Sequence, residues 1–318
     1  MQGSTGTVVI ADPIDRAAVE RLRAQGNRTV VDASSGAAAL EAALADAWAL
    51  VVRSRTKVDA RLIAKAPKLE LVARAGVGVD NVDMAAASAR GIRVVNAPSA
   101  ATTSVAELTV ALALLLVRGF LPSAQATKAG RWERGTHGGE LAGRTVGLVG
   151  YGRIAREVAR RLAPFEVHLI AFDPFVKTSG DATEMVDLPA LLARADVISL
   201  HAAATRENHH LLNAAAFASM KRGVFLINVA RGTLVDEGAL FNALSSGQVA
   251  GAALDVFESE PPTHRGLVEH PNVIVTPHIG ASTPEGQARA GAFVVEEILR
   301  AQKGLPLTSL VPFPGSRA

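Results

Sequence analysis

Two groups of residues in this chain have the types and spacing to do chemistry. The first is a glycine-rich turn, Gly150-Tyr151-Gly152-Arg153-Ile154-Ala155, directly after the apolar run Thr145–Val149. Gly150 can make the tight turn from strand to helix. Gly152 lets the backbone approach a pyrophosphate, and Ala155 is small enough for close helix–strand packing. The helix beyond would aim its first N–H groups at the phosphates. Asp173 ends the next apolar run, Val167–Phe172. It stands about 20 residues after the turn, where a carboxylate can hold adenosine ribose hydroxyls. Its charge would repel a 2′-phosphate, and Pro174 and Phe175 follow with no Arg to accept one. NAD is therefore expected rather than NADP. The second group lies on three segments that each end an apolar run: Asn228–Gly232 with Arg231, Leu254–Pro262 with Glu258 and Glu260, and Thr276–Thr283 with His278. Open parallel sheets take ligands at such strand ends. Glu258 and Glu260 are equally acidic, and spacing alone does not choose between them.

These residues need a scaffold of strands and helices in alternation. Strands are expected at Thr7–Ile10, Leu50–Val52, Leu69–Val72 and Ile92–Val95, then at Thr145–Val149, Val167–Phe172, Val197–His201, Val224–Val229, Gly251–Asp255 and Val273–Thr276. They are short, rich in branched residues and without clean alternation, as strands buried on both faces should be. Helical patterns fall between them at Asp15–Gln25, Ala37–Asp46, Asp59–Lys65 and Asp83–Ala89, with Asp59 and Asp83 as caps. Alternating β and α predicts parallel sheets with helices on both faces. The rhythm breaks after Pro98, where Ser104–Arg118 and Leu121–Gly130 read as helices, and resumes at Thr145. Two such blocks predict two domains. A last helix is expected at Pro284–Gln302, followed by a loosely held tail, Leu305–Ala318.

Composition narrows the class. The chain has 318 residues, 49% hydrophobic and 20% charged, which suits two domains with sizeable cores and argues against general disorder. With no cysteine there can be no disulfide, thiolate nucleophile or Cys-based metal site. The histidines, His209-His210 included, show no metal-ligand spacing, and no metal is expected. The apolar stretch Thr109–Val117 is far shorter than the roughly 20 residues that span a bilayer. The first ten residues lack a signal-peptide pattern, so no membrane partner and a cytoplasmic location are expected. The net charge of +3 is scattered rather than gathered into a basic run, which argues against a nucleic-acid partner.

The segments VVRSRTKVDA, VARAGVGVDNVDM, GIRVVNAPS, GYGRIA, NVARGTLVDEGAL, GAALDVFESEPP and VTPHIGAST together resemble the NAD-dependent D-isomer-specific 2-hydroxyacid dehydrogenases. Within that family the likeness is closest to the D-3-phosphoglycerate dehydrogenases, and it covers nearly the whole chain. It implies a Rossmann cofactor domain over residues 99–284 and a discontinuous, flavodoxin-like substrate domain over 1–98 and 285–318. The catalytic set it implies is Arg231, Glu260 and His278. The chemistry suits those types. Oxidising a 2-hydroxy acid sends a hydride from C2 to the nicotinamide and a proton from the hydroxyl to a base. His278 can be that base. Glu260 would orient the ring and favour the imidazolium, and the planar fork of Arg231 suits a carboxylate. The resemblance also implies cofactor contacts at Gly150, Gly152, Arg153, Ile154, Asp173, Thr205, Val229, Ala230, Asp255, Gly280 and Ala281, with Asp255 on the nicotinamide carboxamide. Substrate contacts fall on Arg53, Ser54, Arg55, Val77, Gly78 and Asn96 besides Arg231 and His278. Arginines at 53, 55 and 74 suit a phosphorylated anion.

The implied substrate is a small anionic 2-hydroxy or 2-keto acid, with 3-phosphoglycerate foremost; hydroxypyruvate/glyoxylate or broad 2-keto acid reduction are the alternatives. Corepressors that sense NAD(H) share the fold and are the rival outside enzymology. Members of the family are usually dimers through the cofactor domain. The apolar circumference of Ser104–Arg118 and the lone Trp132 among charges fit such an interface. One stretch departs from the family: His201-Ala202-Ala203-Ala204-Thr205-Arg206-Glu207-Asn208 stands where His-x-Pro-Leu-Thr-x-Glu-Thr is common. The serine-binding domain of longer phosphoglycerate enzymes has no counterpart before residue 318, and serine is not expected to inhibit.

Overall fold

A computed structural model describes residues 6–134 and 138–313. They gather into two compact units, one formed by the residues up to Ala101 together with those from Ala281 onward, the other by Thr102–Gly280.

The first unit is a parallel sheet of β1 (Thr7–Ile10), β2 (Val30–Asp32), β3 (Ala47–Val52), β4 (Leu71–Arg74) and β5 (Arg93–Asn96), in the order β2-β1-β3-β4-β5. Every residue of the central strand β3 is buried, because helices cover both faces. Helices begin where an aspartate can serve a free N–H group: Asp15, Asp59 and Asp83 accept from the N–H of Ala18, Leu62 and Ala86. The helix Pro284–Gln302 returns the chain to this unit and buries Val294, Val295 and Ile298 in one of its two cores, with Val8, Ile10 and Leu71.

The second unit is a seven-stranded parallel sheet: β6 (Thr145–Val149), β7 (His168–Phe172), β8 (Glu184–Met185), β9 (Val197–Leu200), β10 (Val224–Asn228), β11 (Val249–Leu254) and β12 (Val273–Val275). Their order is β12-β11-β10-β9-β6-β7-β8. The direction of winding reverses between β6 and β9, so the ends of those strands leave a crevice at a topological switch point. The fold class is as expected: two doubly wound α/β units, one with Rossmann and one with flavodoxin-like strand order.

Local differences have local causes. The strands β2 and β8 were not expected; three and two residues are too few to show a period. The tail is a larger correction. Far from being loosely held, residues up to Phe313 are fastened to the first unit. Glu297, buried in the C-terminal helix, accepts from Thr308 N (2.9 Å), Thr308 Oγ1 (2.6 Å) and Ser309 N (3.2 Å). Beyond it Val311 N donates to Val94 O, and Leu310 bridges antiparallel to Val95. Composition hides this because the anchor lies a full turn of helix and a loop upstream. Residues 314–318 lie outside the described residues. Among the described residues no single helix is long and apolar enough to cross a membrane.

Candidate active site

The glycine turn sits at the switch point. Gly150 has φ +88°, and a Cβ there would lie 2.6 Å from the backbone N of Ala202, just past β9. Only glycine fits both demands. Gly152 begins the helix Arg153–Leu162 without a side-chain cap, and a Cβ there would meet nothing within 4 Å. No side chain caps the first-turn N–H groups of this helix, and an uncapped helix start is the arrangement that receives an anion. Ala155 is fully buried against the sheet. Asp173 lies at the end of β7. One carboxylate oxygen accepts from Tyr151 N (2.8 Å), the other from Phe175 N (2.8 Å) and Val176 N (3.2 Å). Glycine cradle, uncapped helix and carboxylate fit a dinucleotide.

Sequence reasoning missed the residue between the two glycines. Tyr151 is the only tyrosine in the chain and is fully buried. Its hydroxyl meets the Asp181 carboxylate and Thr183 Oγ1 at 2.7–2.9 Å. Burial, with Asp181 close by, pushes its pKa up to about 12. Arg156 lies over the ring and donates to Ser179 O. The loop after Asp173 is thus tied down beneath the turn. A lone tyrosine inside a glycine motif was the available signal.

At the other strand ends the three catalytic candidates fall in this same unit. Asn228, buried at the end of β10, accepts from Ala230 N (3.1 Å) and donates to Arg231 O (3.0 Å). This fixes the turn carrying Val229, Ala230 and Arg231. A Cβ on Gly232 would lie 1.9 Å from the carbonyl carbon of Phe257, so the Arg231 and Glu258 segments are pressed together. The geometry separates the two glutamates. Glu258 accepts from Glu237 N (3.1 Å) and stands 3.1 Å from His210 Nε2. Glu260 faces His278, whose Nδ1 lies 2.9 and 3.1 Å from its two oxygens. A carboxylate only accepts, so Nδ1 carries the proton and Nε2 is left for chemistry. Both side chains are about half exposed.

His278 adopts φ +55°, uncommon for a non-glycine residue. Asp255, buried directly after β11, holds it there. Its oxygens accept from Thr276 Oγ1 (2.6 Å), Ile279 N (2.7 Å) and Gly280 N (2.8 Å). The structure therefore places Asp255 under the His278 loop, a role the sequence did not suggest. Ala281 begins the segment assigned to the first unit. In the atypical stretch after β9, Asn208 closes a turn by accepting from Thr205 N (2.7 Å) and donating to Ala203 O (2.7 Å). The Thr205 hydroxyl is engaged as well, and chiefly holds the Glu207 carboxyl below its usual range. Burial pushes His201 down to about 3, with Nε2 at 2.9 Å from Ser199 Oγ. Its ring stays neutral near pH 7 and is unsuited to accepting the proton. Among the described residues no group of three or more His, Cys, Asp or Glu could hold a metal.

The remaining candidates lie in the first unit. Asn96 at the end of β5 donates to Val77 O (2.5 Å), bracing the Val77–Gly78 loop. Arg74 is packed so closely beneath that loop that a Cβ on Gly76 would lie 1.8 Å from its Nη1. Arg53, Ser54 and Arg55 follow β3. Asp12 and Asn81, neither singled out from sequence, hold them: Asp12 accepts from Arg53 N (2.7 Å), and Asn81 Nδ2 donates to Arg53 O (2.8 Å).

Known proteins give this geometry a context. The family model for the D-isomer specific 2-hydroxyacid dehydrogenase, NAD binding domain, matches residues 110–280. The D-3-phosphoglycerate dehydrogenase of Archaeoglobus fulgidus is 43% identical over 312 residues, covering 96% of this chain and 59% of that protein. The D-3-phosphoglycerate dehydrogenase of Mycobacterium leprae is 47% identical over 301 residues, covering 93% and 57%. The chain thus spans under three-fifths of the length of these relatives. A glyoxylate reductase structure from Paecilomyes thermophila superposes with a TM-score of 0.87 at 31% identity, covering 97% of this chain and 98% of that one.

Proposed function

Because the chain belongs to the D-isomer specific 2-hydroxyacid dehydrogenase family, we propose that it oxidises a D-2-hydroxy acid with NAD, 3-phosphoglycerate foremost. The observation that carries this reading is His278 Nδ1 at 2.9 Å from the Glu260 carboxylate, in the unit that holds the glycine cradle. Bound NAD would supply the hydride acceptor. The chain's own residues do the rest. The first-turn N–H groups after Gly152 take the pyrophosphate, and Asp173 takes the adenosine ribose. The Arg231 fork binds the substrate carboxylate and polarises the C2 oxygen. His278 Nε2 receives the hydroxyl proton, and Glu260 stabilises the imidazolium that forms. In this reading the Thr102–Gly280 unit is the cofactor domain. Arg53, Ser54 and the Val77–Gly78 loop are the anion-binding candidates of the other unit.

Steady-state kinetics with 3-phosphoglycerate, hydroxypyruvate, glyoxylate and D-lactate, each with NAD(H) and NADP(H), tests the proposal. A lead for glyoxylate or hydroxypyruvate would favour the second reading, which the likeness to the glyoxylate reductase supports. Tight NADH binding without turnover would favour a nucleotide-sensing corepressor. A cytoplasmic location belongs to the same reading, supported by the absence of cysteine.

The proposal includes a homodimer through the cofactor domain. The helix Thr102–Val117 buries one side in its own unit, but Val110, Leu114 and Leu115 are only half-buried. Beyond it Phe120 and Trp132 are 56% and 73% exposed. Aromatic anchors of this kind favour interfaces. Light scattering should give twice the monomer mass or a higher even multiple, and Trp132→Ala should shift the equilibrium toward monomer. A wild-type monomer at micromolar concentration would sink the dimer.

A further inference from the structure

Three arginines accompany the substrate candidates of the first unit, and the structure gives one of them a different task. Arg55 spends its guanidinium on the protein's own acceptors, although its side chain stays 58% exposed. Its Nε lies 3.3 Å from Asp12 Oδ1, and its Nη2 donates to Ala11 O (3.2 Å) and Ser34 O (2.6 Å). Asp12, only 1% exposed, is the centre of this cluster. Its two oxygens accept from Arg53 N (2.7 Å), Thr56 N (3.1 Å) and Thr56 Oγ1 (2.6 Å) as well as Arg55. Every one of these donors belongs to residues 53–56. On the carbonyl side, Asn81 Nδ2 donates to Arg53 O (2.8 Å) and Thr56 O (2.7 Å). Asn81 directly follows the loop Gly76–Asp80, so one side chain joins the two candidate anion-binding loops. Arg53 differs from Arg55: its guanidinium has one long contact, Nη1 to Pro13 O at 3.4 Å.

We propose that Arg55 and Asp12 form one positioning unit that shapes the Arg53–Thr56 loop, so that Arg53 and Ser54, rather than Arg55, meet the anionic end of the substrate. Burial alone would raise the Asp12 carboxyl, yet the Thr56 hydroxyl, the N–H groups of Arg53 and Thr56 and the Arg55 charge together hold it below the usual range. The carboxylate is therefore charged and cancels Arg55, leaving Arg53 as the loop's unbalanced cation. This inference rests on the reading that the loop binds a substrate anion.

A double-mutant cycle on the full chain tests it, with KM and kcat measured for 3-phosphoglycerate and D-lactate at saturating NAD. Arg55→Ala and Asp12→Asn should each raise KM for 3-phosphoglycerate about tenfold, leaving kcat within about twofold and KM for NAD unchanged. The double variant should be no worse than either alone, because coupled residues are non-additive. Thr56→Val, which removes one donor and keeps the rest, should raise the same KM less. It serves as the test if either first variant fails to fold. Arg55→Lys keeps a charge beside Asp12 but not the fork that reaches Ala11 O and Ser34 O, and should raise the same KM less than Arg55→Ala does. Additive effects, or a KM that falls in Asp12→Asn because a direct Arg55 ligand has been released, would overturn the proposal. If the wild type prefers an unphosphorylated acid, the phosphoglycerate reading fails. The same cycle, measured with the preferred acid, still decides for or against the Asp12–Arg55 unit by its additivity.

Discussion

Each unit places a buried aspartate just past a strand, and each aspartate braces the loop beyond the neighbouring strand. Asp255, after β11, holds Thr276–Gly280 beyond β12; Asp12, after β1, holds Arg53–Thr56 beyond β3. Adjacent parallel strands end at the same level, so a short acidic side chain on one reaches the loop of the next. The difference lies in the donors. Asp255 takes three neutral ones. Asp12 takes three neutral ones and the Arg55 cation. The ionisable pair at the Asp255 loop, His278 and Glu260, stands apart from the brace and half in solvent. In the Asp12 loop the charge is balanced inside the brace itself. One brace should therefore govern proton transfer and the other binding, and the two can be separated by asking which kinetic constant moves.

The sharpest break is His278→Ala. Removing a positioned acid–base group should lower kcat by roughly 10²–10⁴-fold and barely change the Kd for NADH measured by fluorescence titration. Turnover near wild type would take His278 out of the mechanism. Asp255→Asn comes next. The amide would turn its NH₂ toward at least one N–H donor, and an unsatisfied buried donor costs about 1–3 kcal/mol. The His278 loop should shift, and a displacement of about 1 Å can cost on the order of 10²-fold in kcat. A kcat reduced by about 10–100-fold with NADH affinity kept would place Asp255 with the base; an NADH affinity lost with kcat intact would place it with the cofactor.

A smaller effect separates the cofactor's two ends. Asp173 carries a charge near three backbone N–H groups. Asp173→Ala removes a like charge from the position a 2′-phosphate would take and leaves those donors facing it. The ratio of kcat/KM for NADH over NADPH should fall about tenfold, a change of about 1.4 kcal/mol. A wild type equally efficient with both cofactors would show that Asp173 does not select between them.

How much of this was legible follows from the range of each interaction. The glycine turn is local: its steric demands fall on Gly150, Gly152 and Ala155 within six residues, and the sequence shows them directly. The strand-end placement of Arg231 and His278 follows from short apolar runs. The choice between Glu258 and Glu260 does not, because it depends on His210 and Glu237 claiming the first. Asp12 and Asn81 were invisible for a related reason. Asp12 lies over 40 residues from the loop it braces, and a lone aspartate before a proline reads as a turn. Glu297, anchoring the tail from inside a helix, reads as one more solvated glutamate. Long-range polar anchors leave no period and no local motif.

The smallest effect tests the charge in the Asp12 brace through stability rather than turnover. Its folded-state pKa lies below the ordinary aspartate value because the Thr56 hydroxyl, the two N–H groups and Arg55 together outweigh desolvation. A depressed carboxyl pKa adds stability that is fully present above the unfolded value, about 3.9, and is lost as pH falls through the folded one. Asp12→Asn has no such proton to take up. The stability gap between wild type and Asp12→Asn, read from urea unfolding midpoints, should therefore be constant from about pH 7 to 5 and should narrow below about pH 4. The Arg55→Ala variant should narrow its own gap in the same window, because its partner loses the charge that made Arg55 useful there. A gap that stays the same down to the acid limit of folding would mean that the brace works by shape alone, and the contrast with Asp255 would then rest on geometry rather than on charge.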